Sequence, residues 1–340
     1  MPLAVIRADA TQLSGGGHVM RCLSLANVLA ENGWEVLFSG LAQTPEFVPA
    51  LAQSVFEWRT LKNAHNADEL AAHVFRGCDL LVVDHYDLDQ TFEQSCRSFA
   101  RRILVIDDLA DRPHDCDFLL DQTFRRSAED YKPLVPQHCQ YLIGPDFALL
   151  RRQFSQARYE ALKRRGADIG LARVLISFGA TDSHNLTERT LLALDQTGFQ
   201  GHTEVILGTQ APHSKKVRAM AARSPFGITV HSEVTDMAAL MSQADFAIGA
   251  GGTTSWERCC LGLPSLIVIV ADNQNLITRE LEKVGAAASV GWHQSVTVSD
   301  IAGAVTALLS RPERLKTMSD KAATICDGLG AQRTYQALST

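Results

Sequence analysis

Leu3-Ala4-Val5-Ile6-Arg7-Ala8 is followed by Asp9-Ala10-Thr11-Gln12-Leu13-Ser14-Gly15-Gly16-Gly17-His18, then by Val19–Asn32, then by Glu35-Val36-Leu37-Phe38-Ser39. The first and last of these runs are short, apolar and continuous rather than alternating, which suits parallel strands covered on both faces. Between them, apolar residues at Val19, Cys22, Leu23, Ala26, Leu29 and Ala30 follow helical spacing, and Gly33 is a natural helix stop. Strand, helix and strand within about forty residues predict a βαβ unit.

The pattern continues outward. Continuous runs recur at Leu80–Asp84 and Ile103–Asp107, with weaker ones at Phe118–Gln122 and Tyr141–Ile143. In Leu149–Gly166 the character changes: Arg151, Arg152, Arg158, Lys163, Arg164 and Arg165 crowd a helix-like stretch that Gly166 and Gly170 break. The alternation then restarts at Val174–Phe178, Glu204–Leu207, Ile228–His231, Phe246–Gly249 and Leu266–Val270. A series that runs, stops at a polar linker and restarts predicts an α/β protein of two doubly wound, Rossmann-like domains facing a cleft, 1–155 and 156–340. Ligands of such folds bind beyond the carboxyl ends of the strands.

Composition narrows the function. The chain has 340 residues, 46% hydrophobic and 21% charged, and its 32 Lys and Arg against 38 Asp and Glu give a net charge of −6. That balance argues against bulk nucleic-acid binding. Leu263–Ala271, the longest apolar run, is interrupted by Pro264 and Ser265 and falls far short of the ~20 residues of a membrane span. No stable membrane insertion is expected. The N-terminus reads as a strand rather than a secretion leader. Eight cysteines without a C-x-x-C pair read as reduced thiols, so the expected address is cytoplasmic.

The first chemical signal is Gly15-Gly16-Gly17-His18 at a strand-to-helix turn. Glycines there let a ligand approach the backbone closely. The dinucleotide fingerprint fails because its third glycine falls on Met20, and no Gly-Lys-Ser/Thr completes a phosphate loop. Gly16 and Gly17 therefore read as admitting a substrate to His18. At a helix N-terminus the imidazolium is disfavoured, leaving a ring able to accept a proton. The bland alternative makes His18 a helix cap. Arg21, one turn on, reads equally as a substrate phosphate contact or an exposed helix charge.

The second signal is Ala247-Ile248-Gly249-Ala250-Gly251-Gly252-Thr253-Thr254-Ser255-Trp256-Glu257. A strand ends in small residues and a helix begins near Thr254. The N–H groups of Gly251, Gly252 and Thr253, with the hydroxyls of Thr253 and Thr254, form a candidate diphosphate cradle. Glu257 can accept hydrogen bonds from vicinal ribose hydroxyls, or simply favour the helix end. Asn273 and Gln274 end a later strand and could hold sugar or phosphate oxygens; Asn273 could also cap the following helix.

These segments resemble one known family. Ile6–Asp9 through Gly15–Cys22 matches its N-terminal signature, and Gly251–Glu257 with Leu261-Gly262-Leu263-Pro264 matches its C-terminal one. Further matches are Asp84-His85-Tyr86, Gly144–Arg151, Ser177-Phe178-Gly179 with Asp182 and Asn185, and Asn273-Gln274. The sequence departs from the pattern at Ala180-Thr181, where a second glycine is expected. The family is the UDP-2,4-diacetamido-2,4,6-trideoxy-β-L-altropyranose hydrolases of pseudaminic acid biosynthesis. The resemblance implies a glycosyltransferase-B architecture and hydrolysis of a UDP-sugar at its anomeric carbon, with inversion and without a metal or cofactor. It implies His18 as the catalytic group, Tyr86 and Asn273 as substrate residues, and 251–257 as the UDP site; His85 is an alternative to Tyr86 in the same loop.

That chemistry fits the residues. A nucleoside diphosphate leaves as a stabilised anion, so the paired carboxylates of an ordinary glycosidase are not required. One base must deprotonate water, a role suited to His18, although protonation of a phosphate oxygen by the same ring is the other possible role. Asp107, Asp108, Asp111, His114, Asp115 and Asp117 form an acidic stretch without a known ligand spacing, so no metal site is expected and the stretch reads as solvated loop and caps. Asp108 could line the ligand site. Two other functions stay in view: a transferase using the same UDP-sugar donor, and a nucleotide-sugar sensor in which His18 would be dispensable.

Overall fold

A computed structural model describes residues 1–11, 15–167, 171–208, 211–232 and 234–339. Gln12, Leu13 and Ser14 of the first loop, and Gly170 of the expected linker, lie outside the described residues. The chain forms two compact units, Met1–Arg151 with Leu329–Thr340, and Arg152–Gly328.

In the first unit, β1 (Leu3–Ala8), β2 (Glu35–Leu41), β3 (Glu57–Leu61), β4 (Leu80–Asp84), β5 (Ile103–Ile106), β6 (Phe118–Asp121) and β7 (Gln140–Ile143) form one sheet. Its order is β3-β2-β1-β4-β5-β6-β7, and every pairing is parallel. Neighbouring residues of β1 serve opposite faces. Ile6 joins Phe38, Val82 and Leu104 beneath the helix Gly17–Glu31, while Val5 joins Leu37, Leu81 and Val83 with Leu70 and Phe92 on the other side. The expected helical positions Val19, Cys22, Leu23, Ala26 and Leu29 are buried; Ala30 is exposed, and Leu25 and Val28 fill the core beside them.

The second unit holds β8 (Arg173–Ser177), β9 (His202–Ile206), β10 (Gly227–His231), β11 (Phe246–Ala250), β12 (Ser265–Ile269) and β13 (Ala288–Trp292). Its six strands run parallel in the order β10-β9-β8-β11-β12-β13. Two strands carry no continuous apolar run and are absent from the sequence reading: β3, whose Arg59 and Glu57 pair at the surface, and β13, built on Ser289 and Gly291. Both are edge strands, where one side of the ladder faces away from the core and polar residues are tolerated.

Two expectations are corrected. The arginine-rich, helix-like segment is not a linker between the units but the helix Arg152–Ala167 of the second unit. Arg158 donates to the carbonyls of Cys260, Cys326 and Ala323, and Arg165 to those of Ala161, Met241 and Ala244. Several of these are helix C-terminal carbonyls, which attract cations. The chain after residue 328 also leaves the second unit, so a division at 155 and 156 that runs to 340 does not describe it. The helix Gly330–Leu338 puts Ala331 and Leu338 into the core of the first unit, and Arg102 donates to Leu338 O at 2.6 Å. Gly330 makes that docking possible, since a Cβ there would stand 2.3 Å from Ala148 O.

Candidate functional site

In each sheet the connections turn in opposite directions at one point, between β1 and β4 in the first unit and between β8 and β11 in the second. The carboxyl ends of strands at such a switch point are where doubly wound folds bind ligands. His18 follows β1, Asp84 ends β4, and the 251–254 loop follows β11.

In the first unit, His18 lies in the first turn of the helix Gly17–Glu31, whose cap is Gly16 without a side-chain bond, so His18 does not cap it. His18 Nδ1 is 2.5 Å from Asp84 Oδ1. Arg21 clamps the same carboxylate, with Nε to Asp84 Oδ2 and Nη2 to Asp84 Oδ1, both at 2.6 Å, and Nη1 reaches Asp108 Oδ2 at 3.1 Å. Burial alone would raise the Asp84 carboxyl, but Arg21 and then His18 outweigh it and hold it well below the usual carboxylate range. Arg21 Nη2 also lies 3.2 Å from His18 Nδ1, so that nitrogen is committed to the Asp84 and Arg21 cluster, while Nε2 has no partner among the described residues.

Arg21 is thus neither an exposed helix charge nor a group presented to a phosphate: it is 3% exposed and committed to Asp84 and Asp108. Tyr86 meets the His18 ring edge-on, with centroids 4.6 Å apart, and its hydroxyl bonds Asp108. Burial, then the Asp108 charge, pushes the Tyr86 phenol far above its ordinary value, so it stays protonated. His85 is occupied on both nitrogens: Asp87 N donates to Nδ1 at 3.0 Å, and Nε2 lies 3.3 Å from Asp9 Oδ2. Asp9 also accepts from Arg7 Nη2 and Leu41 N, each at 2.6 Å. Of the two histidines, only His18 has a nitrogen without a partner among the described residues.

Of the acidic stretch only Asp111 is exposed; the rest is engaged inside the unit. Asp107 pairs with Arg112 and accepts from the Tyr131 hydroxyl, His114 is fully enclosed against Glu93, and Arg97 bridges Asp115 and Asp117. Asp108 belongs with His18, Arg21 and Tyr86. Among the described residues no group of three His, Cys, Asp or Glu side chains is arranged to hold a metal ion, and no helix is long and apolar enough to cross a membrane.

In the second unit, β11 ends at Ala250 and the helix Thr254–Cys260 begins after Gly251, Gly252 and Thr253. The expected use of Gly251 and Gln274 is corrected. Gly251 N donates to Gln274 Oε1 at 3.0 Å, and Val270 N donates to the same oxygen at 3.2 Å. Gln274 therefore ties the β11 loop to the end of β12, and the Gly251 N–H is spent inside the protein. The N–H groups of Gly252 and Thr253 have no acceptor among the described residues. These two, with the half-buried Thr253 and Thr254, are the groups of the loop open to a ligand, and Glu257 is half-buried in the helix that follows. Asn273 is the first helical residue rather than the cap, a position Asp272 takes.

Two parallel, doubly wound units of this topology are the fold of the glycosyltransferase-B class. Residues 172–333 match the family model of the glycosyltransferase family 28 C-terminal domain. MurG of Acinetobacter baumannii superposes with a TM-score of 0.73 at 17% identity, over 100% of this chain and 99% of that one. The resemblance read from the signatures stands as well. The chain is similar to a UDP-2,4-diacetamido-2,4,6-trideoxy-β-L-altropyranose hydrolase of Campylobacter jejuni, 25% identical over 83% of this chain and 96% of that protein. It is similar also to an uncharacterized protein of Methanocaldococcus jannaschii, 24% identical over 82% of this chain, and spans only 57% of that relative's length.

Proposed function

We propose that the protein is a cytoplasmic hydrolase of UDP-2,4-diacetamido-2,4,6-trideoxy-β-L-altropyranose, releasing the free sugar and UDP with inversion, in pseudaminic acid biosynthesis. The observation that carries this reading is the His18–Asp84 contact: Nδ1 is held by the buried carboxylate, and Nε2 has no partner among the described residues. An imidazole held this way accepts the proton of a water molecule as the water oxygen bonds the anomeric carbon. The anomeric C–O bond breaks, its electron pair leaves with UDP, and Asp84 stabilises the imidazolium. Attack opposite the leaving group inverts the centre. Tyr86 fixes the ring edge-on and contributes, with Asn273, Gly16 and Gly17, to substrate contacts.

On this reading the free N–H groups of Gly252 and Thr253 and the hydroxyls of Thr253 and Thr254 receive the diphosphate, and Glu257 takes the ribose hydroxyls. Donors aimed at the leaving anion supply the charge stabilisation, so the scheme has no step that needs a metal. A second reading, a glycosyltransferase with a UDP-amino-sugar donor, is favoured by the match of residues 172–333 to a glycosyltransferase family. His18 would then deprotonate an acceptor hydroxyl instead of water.

One assay separates them: UDP release from the UDP-linked diacetamido-trideoxy-altrose, in EDTA, by wild type and His18→Ala. Release by wild type, lost in the variant with UDP binding intact, supports the hydrolase. Release only on addition of an acceptor supports the transferase. Equal release by both proteins removes His18 from the chemistry.

A further inference from the structure

Most buried arginines of this protein have their charge met. Arg7 pairs with Asp9, and Arg21 with Asp84 and Asp108. Arg165 lies on carbonyls at the end of the helix Met237–Gln243, where the helix partial charge is negative. Arg165 has no paired carboxylate and an Nε without an acceptor among the described residues, as Arg258 does, but Arg258 lies against the opposite, N-terminal end of a helix. Arg258 is 2% exposed, and its Nη2 donates to Ala250 O at 2.8 Å and to Ser255 Oγ at 2.9 Å. Its Nε has no acceptor, and no carboxylate forms an ion pair with it among the described residues. Burial lowers its pKa to about 10, still charged at neutral pH.

The contacts say where that charge points. Ala250 precedes the helix Thr254–Cys260 and Ser255 stands in its first turn, so the guanidinium reaches back under the loop. A Cβ on Gly249 would come 3.1 Å from Arg258 Nη1, which seats the group against the last residues of β11. The open N–H groups of Gly252 and Thr253 are in the same turn. Glu257 reaches Arg258 only through its field, and a buried cation with no carboxylate paired to it among the described residues is unfavourable; it sits beneath donors that also lack acceptors. An anion in the loop would answer both.

We infer that Arg258 is the standing counter-charge for a diphosphate in the Gly251–Thr254 loop, an affinity and positioning residue selecting the diphosphate rather than the nucleoside. The inference rests on the reading of that loop as the UDP site. It acts through the Ala250 peptide and the field of its charge, without a direct place in bond breaking.

The test is calorimetric titration of UDP and inorganic pyrophosphate, with uridine followed by ligand-observed NMR, against wild type, Arg258→Gln and Arg258→Lys. Arg258→Gln is expected to weaken UDP and pyrophosphate by about ten-fold or more while uridine changes less than about two-fold. Arg258→Lys, keeping the charge, is expected to stay within about three-fold of wild type for pyrophosphate. Equal loss of UDP and uridine, or no loss, would overturn the inference, because Arg258 would then only shape the loop or do nothing for it. If Arg258→Gln does not fold, Arg258→Lys decides: retained pyrophosphate affinity supports the inference and a ten-fold loss overturns it. Wild type that binds neither UDP nor pyrophosphate would instead remove the reading of the loop, and this inference with it.

Discussion

His18 Nδ1 stands 2.5 Å from Asp84 Oδ1, and the same oxygen accepts Arg21 Nη2 at 2.6 Å. One buried carboxylate therefore holds the candidate base by Nδ1 and is itself held ionised by a guanidinium. Asp84→Asn keeps the size and removes the charge. It is expected to lower kcat/KM by roughly 10²- to 10³-fold, the scale of general-base assistance, while UDP affinity in calorimetry stays near wild type. An unchanged kcat would place the base elsewhere.

The same ion pairs set the acid behaviour of the first unit. The Asp84 and Asp9 carboxyls are both lowered in the fold: burial works against this, and Arg21 with His18 in one case and His85 with Arg7 in the other overcome it. A lowered folded pKa means that the unfolded chain takes up the proton first. The stability supplied is complete above the unfolded value of about 4 and is lost as pH falls from there towards the folded values. Thermal unfolding between pH 6 and pH 2, as rough limits bracketing that value, should show the midpoint falling mainly below about pH 4. Asp84→Asn should show a shallower fall; an identical slope would assign the acid sensitivity to other groups.

The fold was legible in the sequence wherever a strand is buried on both faces. β1, β4, β8, β11 and β12 are continuous apolar runs because helices cover both sides of them. β3 and β13 were not, because an edge strand needs no such run. The site was half legible. His18 and the 251–257 loop are marked by glycines at turns, which is local information. The roles of Asp84, Arg21 and Asp108 depend on residues 63 and 87 positions apart meeting across the sheet, which spacing along the chain does not encode. Two signals point to Asp84, the Asp84-His85-Tyr86 match and an Asp closing a buried strand beside a ligand-type turn, but neither gives its contact with His18 and Arg21. For Arg158, Arg164 and Arg165, charge density suggested a linker between domains, yet Arg158 and Arg165 donate to helix carbonyls within the second unit.

Tyr86 offers two separable functions. Its ring supports His18, and its hydroxyl bonds Asp108. Tyr86→Phe keeps the ring and should retain kcat within about ten-fold, since a hydrogen bond to a charged group contributes about 1.5–3 kcal/mol and only part of that reaches the reaction. Tyr86→Ala removes the edge-on contact and should cost distinctly more in kcat than in KM. Steady-state kinetics of the pair would show it; equal effects would make the hydroxyl, and not the ring, the important part.

Gly251 is a glycine for a packing reason. Its backbone is not in the left-handed region, so alanine is barred only by what its Cβ would meet: Thr278 Oγ1 at 2.4 Å, then Ile267 Cγ2 at 3.2 Å and Gln274 Cβ at 3.3 Å. Gly251→Ala should destabilise the second unit by about 1–3 kcal/mol, the usual cost of overpacking, and weaken UDP binding by displacing the loop from Gln274. Thr278 is buried and its hydroxyl has no partner among the described residues, so Thr278→Ala should by itself cost less than about 1 kcal/mol. In the double variant the worst contact is gone, and more than half of the lost stability and UDP affinity should return. Urea unfolding of the four proteins, each with and without UDP, gives the coupling between the two positions directly. Additive effects in that cycle would mean that the alanine is rejected by Ile267 or Gln274 rather than by Thr278, and that the loop is seated from β12 and not from the helix behind it.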